Sequence, residues 1–380
     1  MDGAIVLGAD YRGLGVVRSL GRKGVRVWVL TEAEERLAGS SRYAERALRR
    51  PPDGLVPFLL GLPGVDGWAL FPTSDEDAAL LGRHHAALSR RFVVTSPPWE
   101  VVRWGYDKRL MHALADELGI AAPRTAFGGA EDEIGFPAVL KPAVKVGFNK
   151  LTAAKAWRVD SREELHACVA EASELVDPAV LMVQELIPGG GETQLSYAAL
   201  ACDGEPLAAL TARRTRQYPA DFGRASTYVE TAHVPDIVEP ATRFLRRIRF
   251  TGLVELEFKR DPRDGVPKLL DVNPRVWGWH TLGAAAGMDF PWLMWLSASG
   301  REVPRIDARV GVRWLRLSTD LPMAVREIVH RRLSAASYVR TLLPPKESAI
   351  AARDDPVPGL LELPLLAGVL VRRLARGNGV

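Results

Sequence analysis

The chain has 380 residues, and its 50 Lys and Arg against 46 Asp and Glu give a formal net charge of +4. A hydrophobic content of 47% and a charged content of 25% are typical of globular proteins and exclude a disordered, collagen-like or coiled-coil chain. The length predicts two or three domains, and two cysteines exclude a disulfide scaffold. Because only nine of the fifty cations are lysines, the position of each lysine is informative.

The excess positive charge lies towards the C-terminus. Residues 301–380 carry 14 Lys and Arg and 8 Asp and Glu, a net charge of +6, whereas residues 1–300 sum to −2. No nucleic-acid-binding motif accompanies this charge, so we expect no nucleic-acid partner. We find neither a signal-peptide pattern nor an apolar run near the ~20 residues of a membrane span. We therefore expect a cytoplasmic protein.

Strands and helices alternate over the first hundred residues. Apolar runs at 4–8, 25–30, 68–71 and 92–95 predict four buried strands of a parallel α/β sheet. The glycines after the first strand (Gly8, Gly13 and Gly15) lack the spacing of a dinucleotide fingerprint. They indicate either a tight strand-to-helix turn or a helix N-terminus that faces an anion. We predict a doubly wound domain over residues 1–103.

An α+β region is predicted over residues 104–310, followed by a basic helical extension over 311–380. Its elements are a helix at 104–118, strands at 135–142, 156–159 and 180–186, and hairpins at 195–212 and 253–272. Ser161 and Glu164 form a capping box before a further helix. In the extension we predict a basic helix at 325–333, an extended linker at 354–358 and an apolar, basic segment at 360–376. That last segment either contacts an anionic membrane surface or packs as a terminal helix or dimer contact.

Acidic and amide side chains meet on the second hairpin. Asp271 and Asn273 point the same way on one strand, and Glu257 lies on the preceding strand, with Glu255 as its rival. Oxygen ligands of this kind suit Mg²⁺. Arg275 follows directly and is suited to clamping a phosphoryl or carboxylate oxygen. The alternative is a hairpin of solvated charges with an Asn-Pro turn.

Two lysines and a glutamate stand at the ends of other elements. Lys141 closes an otherwise buried strand, where it requires an anionic partner such as a nucleotide phosphate, unless its ammonium reaches the surface. Lys108 begins a helix. Glu185 ends a strand before a linker whose backbone suits an adenine edge, and Glu192, seven residues on, is within reach of a ribose. The alternative for these glutamates is an exposed turn.

Candidate substrate contacts are Arg214 and Arg216, which follow a predicted strand, and Trp277, which follows the strand that carries Asp271 and Asn273. The arginines suit an anionic substrate, or they are solvated members of an Arg-rich loop. Trp277 lines an acceptor pocket or packs in the core.

These features, in this order, resemble the ATP-grasp superfamily. The step of fourteen residues from Glu257 to Asp271 and the step of seven from Glu185 to Glu192 are similar to those of carbamoyl-phosphate synthetase. The string Asp-Val-Asn-Pro-Arg at 271–275 resembles the family's Glu-x-Asn-x-Arg. The overall pattern is most similar to stand-alone carboxylate–amine ligases such as the D-aspartate ligase-like group. The resemblance implies an N-terminal doubly wound pre-ATP-grasp domain followed by α+β lid (135–190) and catalytic subdomains.

The resemblance also implies residue roles. Arg275 would stabilise the transferring phosphoryl group. ATP would be bound by Lys108, Lys141, Glu185, Leu186, Ile187 and Glu192, and two Mg²⁺ ions, or Mn²⁺, by Glu257, Asp271 and Asn273. Two departures matter. Asp271 is shorter than the usual Glu, and the loop at 143–150 has one Gly, so Lys145 or Lys150 would supply the charge there.

The expected function is therefore ATP-dependent ligation of a carboxylate to an amine through an acylphosphate. Small-molecule substrates such as amino acids or their derivatives would be its partners, and a homodimer is one expected assembly. The alternatives are a carboxylase or kinase of the same fold, a non-catalytic nucleotide-binding module and, on the N-terminal glycines alone, an oxidoreductase.

Overall fold

We describe the fold from a computed structural model of the chain. The structure describes residues 1–32, 36–128, 134–144, 149–154, 156–218, 225–362 and 364. Lys145, in the predicted phosphate loop, and residues 365–380, most of the segment predicted for membrane or dimer contact, lie outside the described residues. Within those residues, no helix is long and apolar enough to cross a membrane.

A five-stranded parallel sheet forms the N-terminal part of the chain, in the order β3-β2-β1-β4-β5. All four predicted strands are present. The sequence pattern missed β3, an edge strand whose charged residues hide its pairing. The strands are β1 (Gly3–Leu7), β2 (Arg26–Thr31), β3 (Arg46–Arg49), β4 (Ala69–Pro72) and β5 (Val93–Val94), and the helices are α1 (Tyr11–Gly21), α2 (Leu55–Gly61), α3 (Asp75–Arg83) and α4 (His85–Leu88).

The glycine-containing turn after β1 is a tight strand-to-helix connection. A Cβ on Gly13 would lie 2.0 Å from the Gly8 carbonyl oxygen, so α1 packs too closely on the strand end for a side chain there. Asp10 caps α1 by accepting hydrogen bonds from the amides of Arg12 (2.9 Å) and Gly13 (3.3 Å). The side chain of Asp10 thus satisfies two of the first-turn amides from within the chain.

The predicted helix at 104–118 is in fact two helices, α5 (Trp99–Tyr106) and α6 (Lys108–Glu117). Asp107 separates them, because its side chain accepts from the amide of Arg109 at 2.9 Å and caps α6. The break makes Lys108 the first residue of a helix, as the sequence predicts.

A four-stranded antiparallel sheet follows, in the order β6-β9-β7-β8. The capping box is confirmed in part: Ser161 accepts from the Glu164 amide at 3.2 Å, and Glu164 accepts from the amide of Asp160. The elements are β6 (Thr125–Phe127), β7 (Ala138–Pro142), α7 (Lys150–Ala154), β8 (Trp157–Val159), α8 (Arg162–Ser173) and β9 (Leu181–Glu185).

The largest sheet has seven strands in the order β14-β13-β10-β11-β12-β15-β16, and both predicted hairpins lie in it. Asp203 and Gly204 turn the first hairpin with φ of 49° and 85°. The strands are β10 (Gln194–Cys202), β11 (Glu205–Tyr218), β12 (Ala225–Thr231), β13 (Gly252–Arg260), β14 (Pro267–Asn273), β15 (Arg313–Leu315) and β16 (Glu347–Ser348). The helices around it are α9 (Val238–Arg247), α10 (Thr281–Ala285), α11 (Phe290–Ala298), α12 (Leu317–Val329) and α13 (Ala335–Leu342).

The segment after residue 310 is built into this sheet. The strand β15 pairs antiparallel with β12, and β16 pairs parallel with β15. The predicted linker at 354–358 does not hang free in the structure, because Asp355 is 1% exposed and accepts from Arg18 at 2.9 Å and Ser41 at 2.7 Å. This buried ion pair fastens the C-terminal segment to α1.

One hydrophobic core joins the N-terminal sheet to the seven-stranded sheet. It brings Leu14 and Val17 of α1 together with Trp277, Trp279 and Phe290. Burial of so much apolar surface holds the two sheets firmly against each other. The turn after β1 therefore lies beside the end of β14, where the predicted site residues are.

Candidate active site

A cleft of about 750 Å³ is lined by residues from all three sheets. The N-terminal sheet contributes the turn at 10–12 and the start of α3, and the four-stranded sheet contributes β7 and β9. The seven-stranded sheet contributes β11, β13 and β14. Of the predicted site residues, the cleft brings together Lys108, Lys141, Glu185, Leu186, Ile187, Arg214, Glu257, Asp271, Asn273 and Arg275.

Strand pairing explains how the acidic residues meet. In the register of β13 and β14, Glu257 lies opposite Asp271 and Glu255 lies opposite Asn273. Directly opposed residues share one face of a sheet, so all four side chains are on the cleft side. The amide nitrogen of Asn273 donates to Glu257 at 3.1 Å and to Glu255 at 3.3 Å.

Cations balance the two carboxylates that face each other. Lys108 donates to Asp271, and Arg214 lies 3.1 Å from Glu257. No three His, Cys, Asp or Glu side chains in the described part of the chain cluster as metal ligands. The donors present are two carboxylates and one amide. A set of hard oxygens this small fits Mg²⁺, which takes few protein ligands and keeps waters and substrate phosphates.

Glu255 has different surroundings from Glu257. It is 3% exposed, and it accepts from the hydroxyl of Ser196 (2.9 Å) and the indole N–H of Trp279 (2.8 Å). Burial, with the nearby charge of Glu257, raises the pKa of Glu255 to about 7. Neutral donors hold Glu255, whereas Glu257 faces Asp271 and a cation. This difference favours Glu257 as the ligand.

Arg275 is held by a residue from the N-terminal sheet. Its guanidinium donates to both oxygens of Asp75, at 2.8 and 3.1 Å, and to the Oδ1 of Asn273 at 3.0 Å. The Arg275 and Asp75 side chains are each 11% exposed. Burial opposes the charged form of Arg275, but the attraction of Asp75 outweighs it and raises the pKa of Arg275 above its ordinary value.

A second chain of hydrogen bonds supports Lys141. Its ammonium donates to the Oε1 of Gln184 at 2.9 Å. The amide nitrogen of Gln184 donates to the hydroxyl of Thr125 (3.0 Å) and lies 3.2 Å from the Nε2 of His112. Burial, followed by the charges of Lys141 and Lys108, lowers the pKa of His112 to about 3. Neutral His112 can therefore accept a hydrogen bond, which orients the amide so that its oxygen faces Lys141.

Glu185 is tied into a polar cluster at the start of the predicted adenine linker. Its carboxylate accepts from the amide of Arg124 and from the guanidinium of Arg263, both at 3.0 Å, and from Lys268 at 3.4 Å. Burial alone would raise the pKa of Glu185, but these donors lower it below its usual value. Its side chain is thus engaged within the chain, and the following Leu186 and Ile187 also line the cleft.

Four predicted residues lie outside the cleft lining. Lys150 is 70% exposed on its side chain and pairs with Glu171. Glu192 is exposed and accepts from the amide of Gly190 at 2.9 Å. Arg216 forms a bidentate pair with Asp320 of α12, at 2.8 Å for each bond, and Trp277 is fully buried against Trp279 and Phe290. For Trp277 the structure matches the core-packing alternative.

Several residues in or beside the cleft are not marked by any sequence motif. Asp75 and Gln184 line the cleft, and His112 contacts Gln184 from behind the lining. Tyr11 and Arg316 also line the cleft. No local pattern marks these residues, because each acquires its partner from an element far away in the chain.

Comparison with known proteins supports the family resemblance that the sequence motifs indicate. Residues 177–317 match a family model described as ATP-grasp in the biosynthetic pathway with Ter operon. The chain is 26% identical over 234 residues to a D-aspartate ligase of Enterococcus faecium (strain Aus0004), covering 55% of this chain and 53% of that protein. It is 24% identical over 312 residues to the carbamoyl phosphate synthase large chain of Clavibacter michiganensis subsp. michiganensis, covering 72% and 26%. The chain thus spans about half or less of these relatives' lengths.

Solved structures share the fold at low sequence identity. They include the L-amino acid ligase from Bacillus licheniformis (TM-score 0.60, 16% identity, covering 78% of this chain and 74% of that one). The biotin carboxylase domain of the Hydrogenobacter thermophilus 2-oxoglutarate carboxylase, solved with MgADP, has a TM-score of 0.65, with 14% identity and coverages of 82% and 74%. The N5-carboxyaminoimidazole ribonucleotide synthetase from Thermus thermophilus has a TM-score of 0.60, with 16% identity and coverages of 82% and 81%. The family match, the sequence relatives and the structural neighbours together support a place for this chain in the ATP-grasp carboxylate–amine ligase superfamily.

Proposed function

We propose that the protein is an ATP-dependent carboxylate–amine ligase. It would form an amide or peptide bond through an acylphosphate and release ADP and phosphate. The observation that carries this proposal is one cleft that holds Lys108 and Lys141 beside the paired carboxylates Glu257 and Asp271 and the buried Arg275. Relatives whose names describe ligation of D-aspartate and of L-amino acids support the same chemistry.

The nucleotide would lie between β7 and β14. Lys108 and Lys141 supply point charges for its phosphates, and the linker from Glu185 to Ile187 offers backbone groups to adenine. Glu192 would reach the ribose, as proposed from its spacing. On this reading residues 1–103 form a pre-ATP-grasp domain, and residues 135–190 form a lid.

Glu257, Asp271 and Asn273 would hold Mg²⁺, and Mn²⁺ is a second ion with compatible ligands. The ion would neutralise the charge on the phosphate oxygens and orient them for transfer. Lys108 pairs with Asp271 and Arg214 pairs with Glu257 in this structure, and both cations line the cleft that would take the substrates. Arg275 stays in place because Asp75 holds two of its nitrogens.

The reaction would proceed in two balanced steps. A carboxylate oxygen of the first substrate attacks the γ-phosphorus, and the bond from that phosphorus to the bridging oxygen of ADP breaks. The amine nitrogen then attacks the acyl carbon, the carbon–oxygen bond to phosphate breaks, and the amine loses a proton. Arg275 would stabilise charge on the transferring phosphoryl group, since phosphoryl transfer depends mainly on positioning and charge neutralisation.

Phosphate release with Mg-ATP and a panel of amino acids, followed by mass spectrometry of the products, tests this proposal. We expect release that requires a carboxylate–amine pair and an amide whose mass is the sum of the pair less water. The Asp271→Asn variant should abolish release, whereas Cys202→Ser, an exposed site distant in sequence, should not change it. Release that requires bicarbonate, or a phosphorylated product without an amide, would support the carboxylase or kinase alternative.

A further inference from the structure

Two arginines flank Tyr11 at the end of the cleft nearest the N-terminal sheet. The guanidinium carbon of Arg316 lies 4.1 Å from the centre of the Tyr11 ring, and Arg214 is close enough to Tyr11 to interact with it electrostatically. All three residues line the cleft. They come from three distant parts of the chain, namely the first turn of α1, the strand β11 and the segment just before α12.

Both arginines retain hydrogen-bonding capacity. Arg214 is 5% exposed, and one of its terminal nitrogens lies 3.1 Å from Glu257. Among the described residues, the Nε of Arg214 and the Nε of Arg316 are both buried and donate to nothing. Burying such a donor without an acceptor is unfavourable, and a bound anion would remove that penalty.

The aromatic ring fixes one of these cations in place. Stacking on the Tyr11 ring orients the Arg316 guanidinium. The Tyr11 hydroxyl packs against Gly278, where a Cβ would lie only 2.7 Å from the hydroxyl oxygen. Gly278 also lines the cleft, so its missing side chain makes room for the tyrosine. A planar, pre-oriented guanidinium is suited to two parallel hydrogen bonds with a carboxylate.

Building on the proposed function, we propose that Arg316, supported by Tyr11 and Arg214, binds a substrate carboxylate that is not converted in the reaction. A carboxylate neutralised by guanidinium groups is a poor nucleophile towards phosphorus, so this group anchors the substrate and another group reacts. The nucleotide phosphates have their own cations, Lys108 and Lys141, which stand on α6 and β7. The substrate is therefore an amino acid or another carboxylic acid, and the carboxylate that Arg316 binds remains free in the product.

A binding cycle tests this subsite independently of catalysis. The probes are the L-amino acids, D-alanine, D-aspartate and their primary amides, titrated calorimetrically into protein saturated with magnesium and a non-hydrolysable ATP analogue. For the amino acid that binds, we expect amidation to weaken binding at least tenfold in the wild type. In Arg316→Gln, acid and amide should bind within about twofold of each other, because the partner of the carboxylate is gone.

Two further variants separate the subsite from general damage. Arg316→Lys should recover part of the preference for the acid, because it keeps the charge but loses the planar fork. Arg326→Gln, an exposed arginine on α12, should behave as the wild type. An equal loss for acid and amide in Arg316→Gln would overturn the proposal. So would inorganic phosphate competing with the analogue-bound protein for the same Arg316-dependent site.

The outcomes also distinguish this proposal from the ligase proposal. If the wild type binds the ATP analogue but none of the amino acids, the carboxylate subsite is wrong. If amino acids bind with the expected dependence on Arg316 and phosphate release never occurs, the subsite stands and the ligase proposal fails.

Discussion

Asp75 offers the sharpest single test of how the cleft is assembled. It stands at the start of α3 in the N-terminal sheet region, yet its carboxylate holds the Arg275 guanidinium with bonds of 2.8 and 3.1 Å. The Asp75→Asn variant keeps the size of the side chain and removes its charge. Arg275 is then a buried cation without its counter-ion.

The expected cost follows from the burial of the pair. Removing one partner of a fully buried ion pair costs about 3–5 kcal/mol, because the remaining charge stays desolvated. Here both side chains are 11% exposed, and Arg275 keeps the Oδ1 of Asn273 (3.0 Å) and its neighbouring carbonyl of Val276 (3.1 Å) as acceptors. We therefore expect a loss of roughly 2–3 kcal/mol in the free energy of unfolding, at or below the lower limit of that range.

Activity should fall more steeply than stability suggests. A displacement of about 1 Å in a catalytic group can cost ~100-fold in rate, so we expect kcat to fall about that much in Asp75→Asn. The KM for ATP should change little, because Lys108 and Lys141 are untouched. Urea denaturation and steady-state phosphate release measure the two effects separately.

The control is an exposed pair of the same geometry. Arg26 and Glu45 also form two bonds of 2.8 Å, but their side chains are 52% and 37% exposed. Glu45→Gln should leave stability and activity close to the wild type, since solvent screens such a pair. If Asp75→Asn and Glu45→Gln have equal effects, Asp75 does not hold Arg275 in the way the structure indicates.

Three other outcomes are expected. Burial lowers the pKa of His112 to about 3, so between pH 6.5 and 3 only the unfolded state binds a proton on this side chain. The free energy of unfolding should therefore fall as the pH drops through that window, by up to about 1.4 kcal/mol per pH unit. Denaturation at pH 7, 6 and 5 should show that the unfolding free energy of His112→Gln depends less on pH than that of the wild type. Asp355→Asn should lower the unfolding free energy by about 3 kcal/mol, measured in urea, because it leaves Arg18 buried without its charged partner; no loss would mean that the C-terminal segment is not docked on α1. Lys141→Met should raise the KM for ATP at least tenfold, whereas Lys150→Met should change it less than threefold; a reversed order would restore the role that the sequence predicts for Lys150.

Most of the fold could be anticipated from local patterns. The buried runs of the N-terminal sheet and the two hairpins of the large sheet carry strong apolar periodicity, which predicts most of their strand ends closely. The exception is β11, which continues to Tyr218 instead of ending at 212, so Arg214 and Arg216 lie in a strand and not in a loop. The strand β3 was missed because its exposed, charged residues depend on pairing with β2. The division of residues 104–118 into two helices depends on the cap that Asp107 provides.

The strand β14 illustrates what spacing can establish. Asp271 and Asn273 alternate on one strand, and a hairpin necessarily places a partner such as Glu257 opposite them, so sequence alone brought these donors together. The choice between Glu255 and Glu257 could not be made from alternation, because both point to the same face. The tertiary structure distinguishes the two glutamates by their contacts. Trp279 and Ser196 donate hydrogen bonds to Glu255, whereas Arg214 pairs with Glu257.

The sequence by itself thus determined the α/β class, most of the element order, and Lys108, Lys141, Glu257 and Asp271 as residues of one cleft. Only the tertiary structure decided which residue holds each charged side chain in place. Asp75 holds Arg275 by an ion pair, and the Tyr11 ring holds Arg316 by stacking. It also showed that the segment after residue 310 completes the sheet and the cleft. The physical reason is that periodicity and spacing encode contacts between near neighbours, whereas the partner of a buried charge can lie 200 positions away, as for Arg275 and Asp75, or 337, as for Arg18 and Asp355.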